Sequence, residues 1–130
     1  MKNKILVIIA DYYKDISNNL LKSALNNLSK KYYTIKILKV PGVFEIPVTI
    51  SRNINKYNGF IALGCVIKGQ TPHFDFISQS ATDAIMTLSI SSKKPIGNGI
   101  ITCLNKKQAI SRGKKGLEAS EAVKVVLKNK

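Results

Sequence analysis

The only histidine of this chain, His73, falls in the stretch Gly59 to Ser78, which reads GFIALGCVIKGQTPHFDFIS. Lys68-Gly69-Gln70 interrupts an apolar run there with a basic residue and a glycine. Thr71-Pro72 then carries the residue types of a helix N-cap and first helical position. His73 is therefore expected in a first helical turn, where unbonded backbone N–H groups and the positive end of the helix dipole lie together. The N–H groups of Gln70 and Thr71 would cradle a phosphate. The same helix end would favour the neutral imidazole, the form able to take up a proton. This grouping points to phosphate chemistry assisted by a histidine.

Such a group needs a frame. Phe60 to Ile67 is an almost unbroken apolar run, as expected of a strand buried on both faces of a parallel sheet. Lys4 to Ala10 (KILVIIA) reads the same way. From Asp15 a helix is expected, with Ile16, Leu20, Leu21, Ala24, Leu25 and Leu28 on one face. Tyr33 to Val40 alternates apolar and basic side chains, which suits a strand near a sheet edge. After the Pro41-Gly42 turn, Phe44 to Asn55 reads as a helix that tolerates Pro47 in its first turn. The helix after Thr71-Pro72 runs to about Ser91, with Phe74, Ile77, Ala81, Ile85 and Leu88 inward. Ile96 to Thr102 is a fourth strand, whose Gly97 and Gly99 predict close approach by a ligand or a neighbour. Asn105 to Arg112 makes a short helix, Gly113 to Gly116 a kink, and Leu117 to Lys128 a last helix with Leu117, Ala122, Val123 and Val126 inward. The order β-α-β-α-β-α-β-α-α predicts an α/β fold with a four-stranded parallel sheet and helices on both faces. A sheet this small makes assembly into an oligomer plausible.

Ligands in such folds bind outside the carboxyl ends of the strands. Four stretches meet that condition: residues 11–13, 41–45, 68–73 and 102–105. They offer Tyr12 as an aromatic plate, Glu45 as a carboxylate at a helix start, the phosphate cradle, and His73. Each has a structural alternative. Tyr12 could simply end a strand, Glu45 favour a helix dipole, Thr71 cap a helix, and His73 sit exposed in a first turn.

At 130 residues, one domain covering 1–130 is expected. The net charge of +14, from 21 basic against seven acidic residues, would normally indicate an anionic partner such as nucleic acid. Yet the lysines occur in ones and twos, only Arg52 and Arg112 are arginines, and no basic stripe with interleaved aromatics is visible. Solvated lysine faces and no nucleic-acid partner are the expectation. Cys65 and Cys103 form no CxxC pair, so buried reduced thiols are expected, with no metal site. The apolar run after the basic N-terminus stops at Asp11, too short for a signal sequence, and no stretch approaches the roughly 20 apolar residues of a membrane span. A cytoplasmic protein with no membrane partner is expected.

At these same residues the chain resembles the lumazine synthase family, the riboflavin synthase beta-chain family. Three blocks carry the match: VPGVFEIPVTI (Val40 to Ile50), LGCVIKGQTPHFDFIS (Leu63 to Ser78) and PIGNGIITCLNKKQAISRG (Pro95 to Gly113). KGLEA from Lys115 and Ala-Asp-Tyr-Tyr from Ala10 add weaker agreement. The resemblance implies a flavodoxin-like, doubly wound three-layer αβα sandwich. It implies a transferase of riboflavin biosynthesis that condenses 5-amino-6-(D-ribitylamino)uracil with 3,4-dihydroxy-2-butanone 4-phosphate to 6,7-dimethyl-8-ribityllumazine, without cofactor or metal. By position, Tyr12 would stack on the pyrimidine, and Val43, Phe44 and Glu45 would line the ribityl chain and ring. Val66, Ile67 and Lys68 would contact the ring largely through backbone. Gln70, Thr71 and Arg112 would hold the phosphate with Lys115 nearby, His73 would shuttle protons, and Asn98 would cover the site from an adjacent subunit.

The resemblance also implies a homo-pentamer with sites between subunits, in some members built into a 60-subunit shell, and riboflavin synthase as a candidate partner. The chain departs from the family pattern at Tyr12, where Phe or Trp is usual, at Lys68, where arginine is usual, and in the short linker from Arg112 to Gly116. A non-catalytic lumazine- or flavin-binding or shell-forming relative is the alternative from the same family. A basic nucleic-acid-binding protein is the alternative from outside it.

Overall fold

The computed structural model describes residues 2–69 and 73–129. Four strands, β1 (Asn3–Ala10), β2 (Tyr33–Val40), β3 (Gly59–Ile67) and β4 (Ile96–Cys103), form one all-parallel sheet in the order β2-β1-β3-β4. Five α-helices connect and cover them: α1 (Lys14–Asn26), α2 (Ile46–Arg52), α3 (Phe74–Ser92), α4 (Lys106–Ser111) and α5 (Lys115–Lys128). The strand order reverses between β1 and β3, and the carboxyl ends of these two strands flank the crevice that this reversal opens.

Alternation along the central strands divides the interior into two layers. Ile5, Val7 and Ile9 of β1, with Ile61, Leu63, Cys65 and Ile67 of β3, face α1, α4 and α5. Leu6, Ile8 and Ala10, with Phe60, Ala62 and Val66, face α2 and α3. The result is the three-layer αβα sandwich that the element order predicts. Each fully buried isoleucine, leucine, valine or phenylalanine among them contributes about 1.5–3 kcal/mol, and β3, buried at every position, needs no polar face.

The elements match the sequence expectation in order, and they differ at three places. The expected helix from Phe44 is a single 3-10 turn, Val43–Glu45, followed by the short α2, with Pro47 in the first turn of the latter. His73 stands outside α3 rather than in its first turn; it is the N-cap residue, with left-handed backbone at φ 65° and ψ 31°. Asp75 takes the first-turn place. Thr71 and Pro72, on which the expected cap rested, lie outside the described residues.

The third difference is at α5. Gly116 belongs inside the helix rather than in a kink, and the buried face is Gly116, Ala119, Ser120 and Val123. Of the expected inward set only Val123 is buried, while Leu117, Ala122 and Val126 are exposed. Small residues occupy this face because α5 runs close to two backbones. A Cβ on Gly116 would strike the Leu20 carbonyl of α1, and one on Gly97 of β4 would strike the Ala119 carbonyl of α5. The neighbour that Gly97 admits is therefore a helix, and at Gly99 it is the Leu63 side chain, 2.5 Å from where a Cβ would stand.

Candidate active site

The crevice is built by strands of unequal length. β1 and β3 stay in register only as far as Ile9 and Leu63, whereas β3 continues beside β4 to the pair Ile67 and Cys103. Phe60 N–H donates to Pro95 O at 3.0 Å and Lys68 N–H to Cys103 O at 2.9 Å, so even-numbered peptide groups in this stretch point toward β4. Peptide groups of odd-numbered residues point the other way, and at Ile67 β1 has already ended. The end of β3 thus runs on past β1 beside the crevice, with Ile67 itself fully buried. Ser17 Oγ, donating to Ala10 O at 2.7 Å, closes the end of β1 beneath it.

The 3-10 turn after β2 fits into this opening. Gly64 lets it approach: a Cβ there would lie 2.8 Å from Val43 Cγ2 and 3.2 Å from Ala10 Cβ. Val43 is buried against β3, while Phe44 points out and is 58% exposed. Glu45 folds its carboxylate back over Gly42, whose Cβ would stand 3.2 Å from Glu45 Oε1. The turn is held by Glu45 N–H donating to Gly42 O at 3.2 Å and by Thr49 Oγ1 donating to Glu45 O at 2.8 Å. Pro41-Gly42 in the sequence signals a turn; the close approach at Gly64 is signalled only by a glycine inside an otherwise unbroken strand.

His73 meets Phe44 across the mouth of the crevice. The two residues, with Phe76 and Ile77 of α3, line an apolar pocket of about 570 Å³. Phe76 is off the inward stripe of α3 and has no signal in the hydrophobic spacing. Left-handed backbone in a non-glycine residue costs on the order of 1–3 kcal/mol and collects at functional positions. At His73 it turns the chain into α3, whose first bond runs from Ile77 N–H to His73 O at 2.8 Å. Tyr12, 69% exposed, stands at the end of β1 edge-to-face with Tyr13, the ring centroids 4.9 Å apart. Lys68 is exposed at the end of β3, followed by Gly69 at φ 82°. The phosphate cradle expected at Gln70 and Thr71 lies outside the described residues.

Within one chain the remaining candidates sit elsewhere. Arg112 and Lys115 line a separate groove of about 510 Å³ with Thr102, Ser111 and Glu118, on the flank of β4. Arg112 Nη1 donates to Thr102 O at 3.0 Å and reaches Cys103 Sγ at 4.0 Å, which seats the guanidinium on the carboxyl end of that strand. Asn98 is half-buried on β4, in register with Ala62 near the middle of the sheet, and its Oδ1 accepts the Ile100 N–H at 3.0 Å. Tyr12, Val43 to Glu45, Val66 to Lys68 and His73 therefore gather at the carboxyl end of the sheet. Arg112, Lys115 and Asn98 line its β4 side.

Both cysteines are free and buried. Burial pushes the Cys65 thiol up to about 12, with the neighbouring Cys103 adding to the shift. A thiol held in this state is neither a nucleophile nor a metal ligand at neutral pH. No cluster of three His, Cys, Asp or Glu side chains able to hold a metal occurs among the described residues.

The sequence profile of 6,7-dimethyl-8-ribityllumazine synthase matches residues 2–129. The chain belongs to this family. Its relatives include the 6,7-dimethyl-8-ribityllumazine synthase of Bartonella tribocorum, 40% identical over 129 residues that span 93% of this chain and 85% of that one. That of Rhodopseudomonas palustris named synthase 1 is 37% identical across 98% of this chain and 85% of its own length. The Cutibacterium acnes synthase is 36% identical across 90% and 70%. The lumazine synthase match reaches every element of the fold, the α4–α5 linker included.

Proposed function

We propose that this chain, as one domain over residues 1–130, is a lumazine synthase of riboflavin biosynthesis, a transferase that joins 5-amino-6-(D-ribitylamino)uracil to 3,4-dihydroxy-2-butanone 4-phosphate. The observation that carries the reading is the pocket in which Phe44 and His73 meet at the carboxyl end of the sheet. The pyrimidine lies over Tyr12 and against the main chain of Val66, Ile67 and Lys68, with the ribityl chain along Val43, Phe44 and Glu45. The amine of the uracil attacks the ketone and an imine forms with loss of water. Phosphate then leaves with its C–O bond electrons, and the ribitylamino nitrogen closes the ring with loss of a second water. Gln70, Thr71, Arg112 and Lys115 bind the phosphate, and His73 carries protons between these steps. The substrate brings its own nucleophile, so the protein has to position two molecules and move protons. Positioning is worth up to about 7–11 kcal/mol and proton transfer about 10²–10⁴-fold.

The site is shared between copies in a homo-pentamer, with Arg112, Lys115 and Asn98 supplied by the next subunit. The separation of the two grooves in one chain supports this, as does the position of the second on the open β4 side. Two buried free thiols support a reducing, cytoplasmic setting, and among the described residues no helix is long and apolar enough to cross a membrane. The product is the compound that riboflavin synthase would take up.

Mixing the protein with both substrates and following lumazine absorbance and fluorescence tests the proposal. Product formation well above the uncatalysed rate is expected. A rate equal to the uncatalysed one would reduce the chain to a non-catalytic relative.

A further inference from the structure

We propose that the amino-terminal end of the sheet, opposite the candidate active site, is a binding surface for single-stranded nucleic acid. In a parallel sheet every helix-to-strand loop returns to the same end. Here those loops carry lysine: Lys30 and Lys31 precede β2, Lys56 precedes β3, and Lys93 and Lys94 precede β4. Lys2 and Lys4 stand at the start of β1, and Lys124 and Lys128 lie in the closing turns of α5. Spacing in ones and twos along the chain, which argued for solvated faces, is what a surface assembled from separate loops produces. Among the described residues of these segments the one acidic side chain is Glu121, 3.8 Å from Lys124. The carboxyl end is mixed instead, with Asp11, Asp15, Glu45, Asp75 and Glu118 among its lysines.

Two of these cations are already engaged. Lys94 Nζ donates to Ile54 O at 2.6 Å and Lys124 Nζ to Asn27 O at 3.1 Å. Lys30, Lys31, Lys56, Lys93 and Lys128 are exposed. Charge alone would suit any polyanion; two observations select a single strand. A groove of about 680 Å³ opens at this end, lined by Asn3, Asn26, Asn27, Tyr32, Lys124 and Lys128 among others; the Asn27 amide is taken by Ser120 and Glu121, and those of Asn3 and Asn26 lie beside the cations. Tyr32 is 61% exposed, and Lys31 Nζ lies over one face of its ring, 5.6 Å from the centroid, which leaves the other face for a base. An aromatic plate with an adjacent cation and amide edges is the equipment for stacking an unpaired base while lysines hold its phosphates. A duplex hides its base faces from Tyr32, and an anionic bilayer cannot enter the groove.

Fluorescence anisotropy of a labelled oligouridylate over a salt series tests this with the full-length protein. Binding that weakens as salt rises is expected. Lys31→Ala/Lys128→Ala should weaken it about tenfold and lower the salt slope by about 1.4, at about 0.7 per lost phosphate contact. Tyr32→Ala should weaken it about fivefold or more, the least that loss of one base stack gives. Lys106→Ala/Lys107→Ala, at the other end, should leave binding unchanged, and circular dichroism should show every variant folded. No wild-type binding at low salt would overturn the proposal, as would equal losses from the two lysine pairs. Equal affinity for a paired duplex or for phosphatidylserine vesicles would overturn the choice of a single strand.

Discussion

The two edges of the sheet are finished in opposite ways. β2 carries Lys36 and Lys39 on successive faces, and Thr34 with them, so its free backbone is guarded by charge. β4 carries no lysine along its length, and exposed Ile90 of α3 and Val126 of α5 flank a groove beside its start. Lysine on an edge strand resists pairing with another chain. The β4 strand itself has no such guard, although Lys93 and Lys94 line the groove at its start, and it is also the side on which Arg112 and Asn98 lie. One edge is guarded by charge, and the other is where the proposed next subunit would complete the proposed site.

Charge placed on the β4 side should have the largest effect. Ile90→Lys/Val126→Lys should reduce the light-scattering mass toward that of a single chain and lower lumazine formation by at least about 10²-fold, since the shared site loses its positioning. Retained mass and activity would remove the distinction between the edges. His73→Ala should lower the rate by about 10²-fold or less, and Arg112→Ala should chiefly raise the KM of the phosphate substrate. The two variants, unfolded together and refolded, should recover activity that neither has alone. Recovery follows only if the two residues of one site come from different copies. An additive mixture would place both in one chain.

At the other edge, Lys36→Ile/Lys39→Ile should leave the rate unchanged and bring forward the onset of turbidity on heating. The smallest effect should lie between the edges, at β3. Burial, with Cys103 beside it, raises the Cys65 thiol to about 12 from an ordinary value of 9.0. Above about pH 9 the unfolded thiol ionises while the folded one keeps its proton. Stability measured in urea should therefore fall on the order of 1 kcal/mol per pH unit from there toward pH 12, and Cys65→Ala should flatten that slope.

Strands and their order of appearance were legible because burial on both faces leaves an unmistakable composition, as in Phe60 to Ile67. The edge position of β2 was legible from its lysines. Misreadings arose where apolar character and burial part company. α5 turns Gly116, Ala119 and Ser120 inward because backbone proximity selects small residues, and it leaves Leu117 and Val126 outside, where spacing alone reads them as core. Thr71-Pro72 carries a strong helix-start signal that points to His73 in a first turn, while α3 begins at Phe74 and His73 is its N-cap. The pairing of Phe44 with His73 depends on Val43 resting over Gly64, a contact between residues 21 positions apart that no local pattern encodes.

The overhang of β3 past β1 has a consequence for how this protein can change. What the proposed site would use at Ile67, a residue fully buried in the single chain, is a peptide group, and a peptide group is not written in any codon. Ile67 can become valine or leucine and the same N–H and C=O remain in the crevice. Only proline there would erase the donor. This part of the proposed site is inherited with the strand lengths, and it would outlast most substitutions that leave the sheet standing.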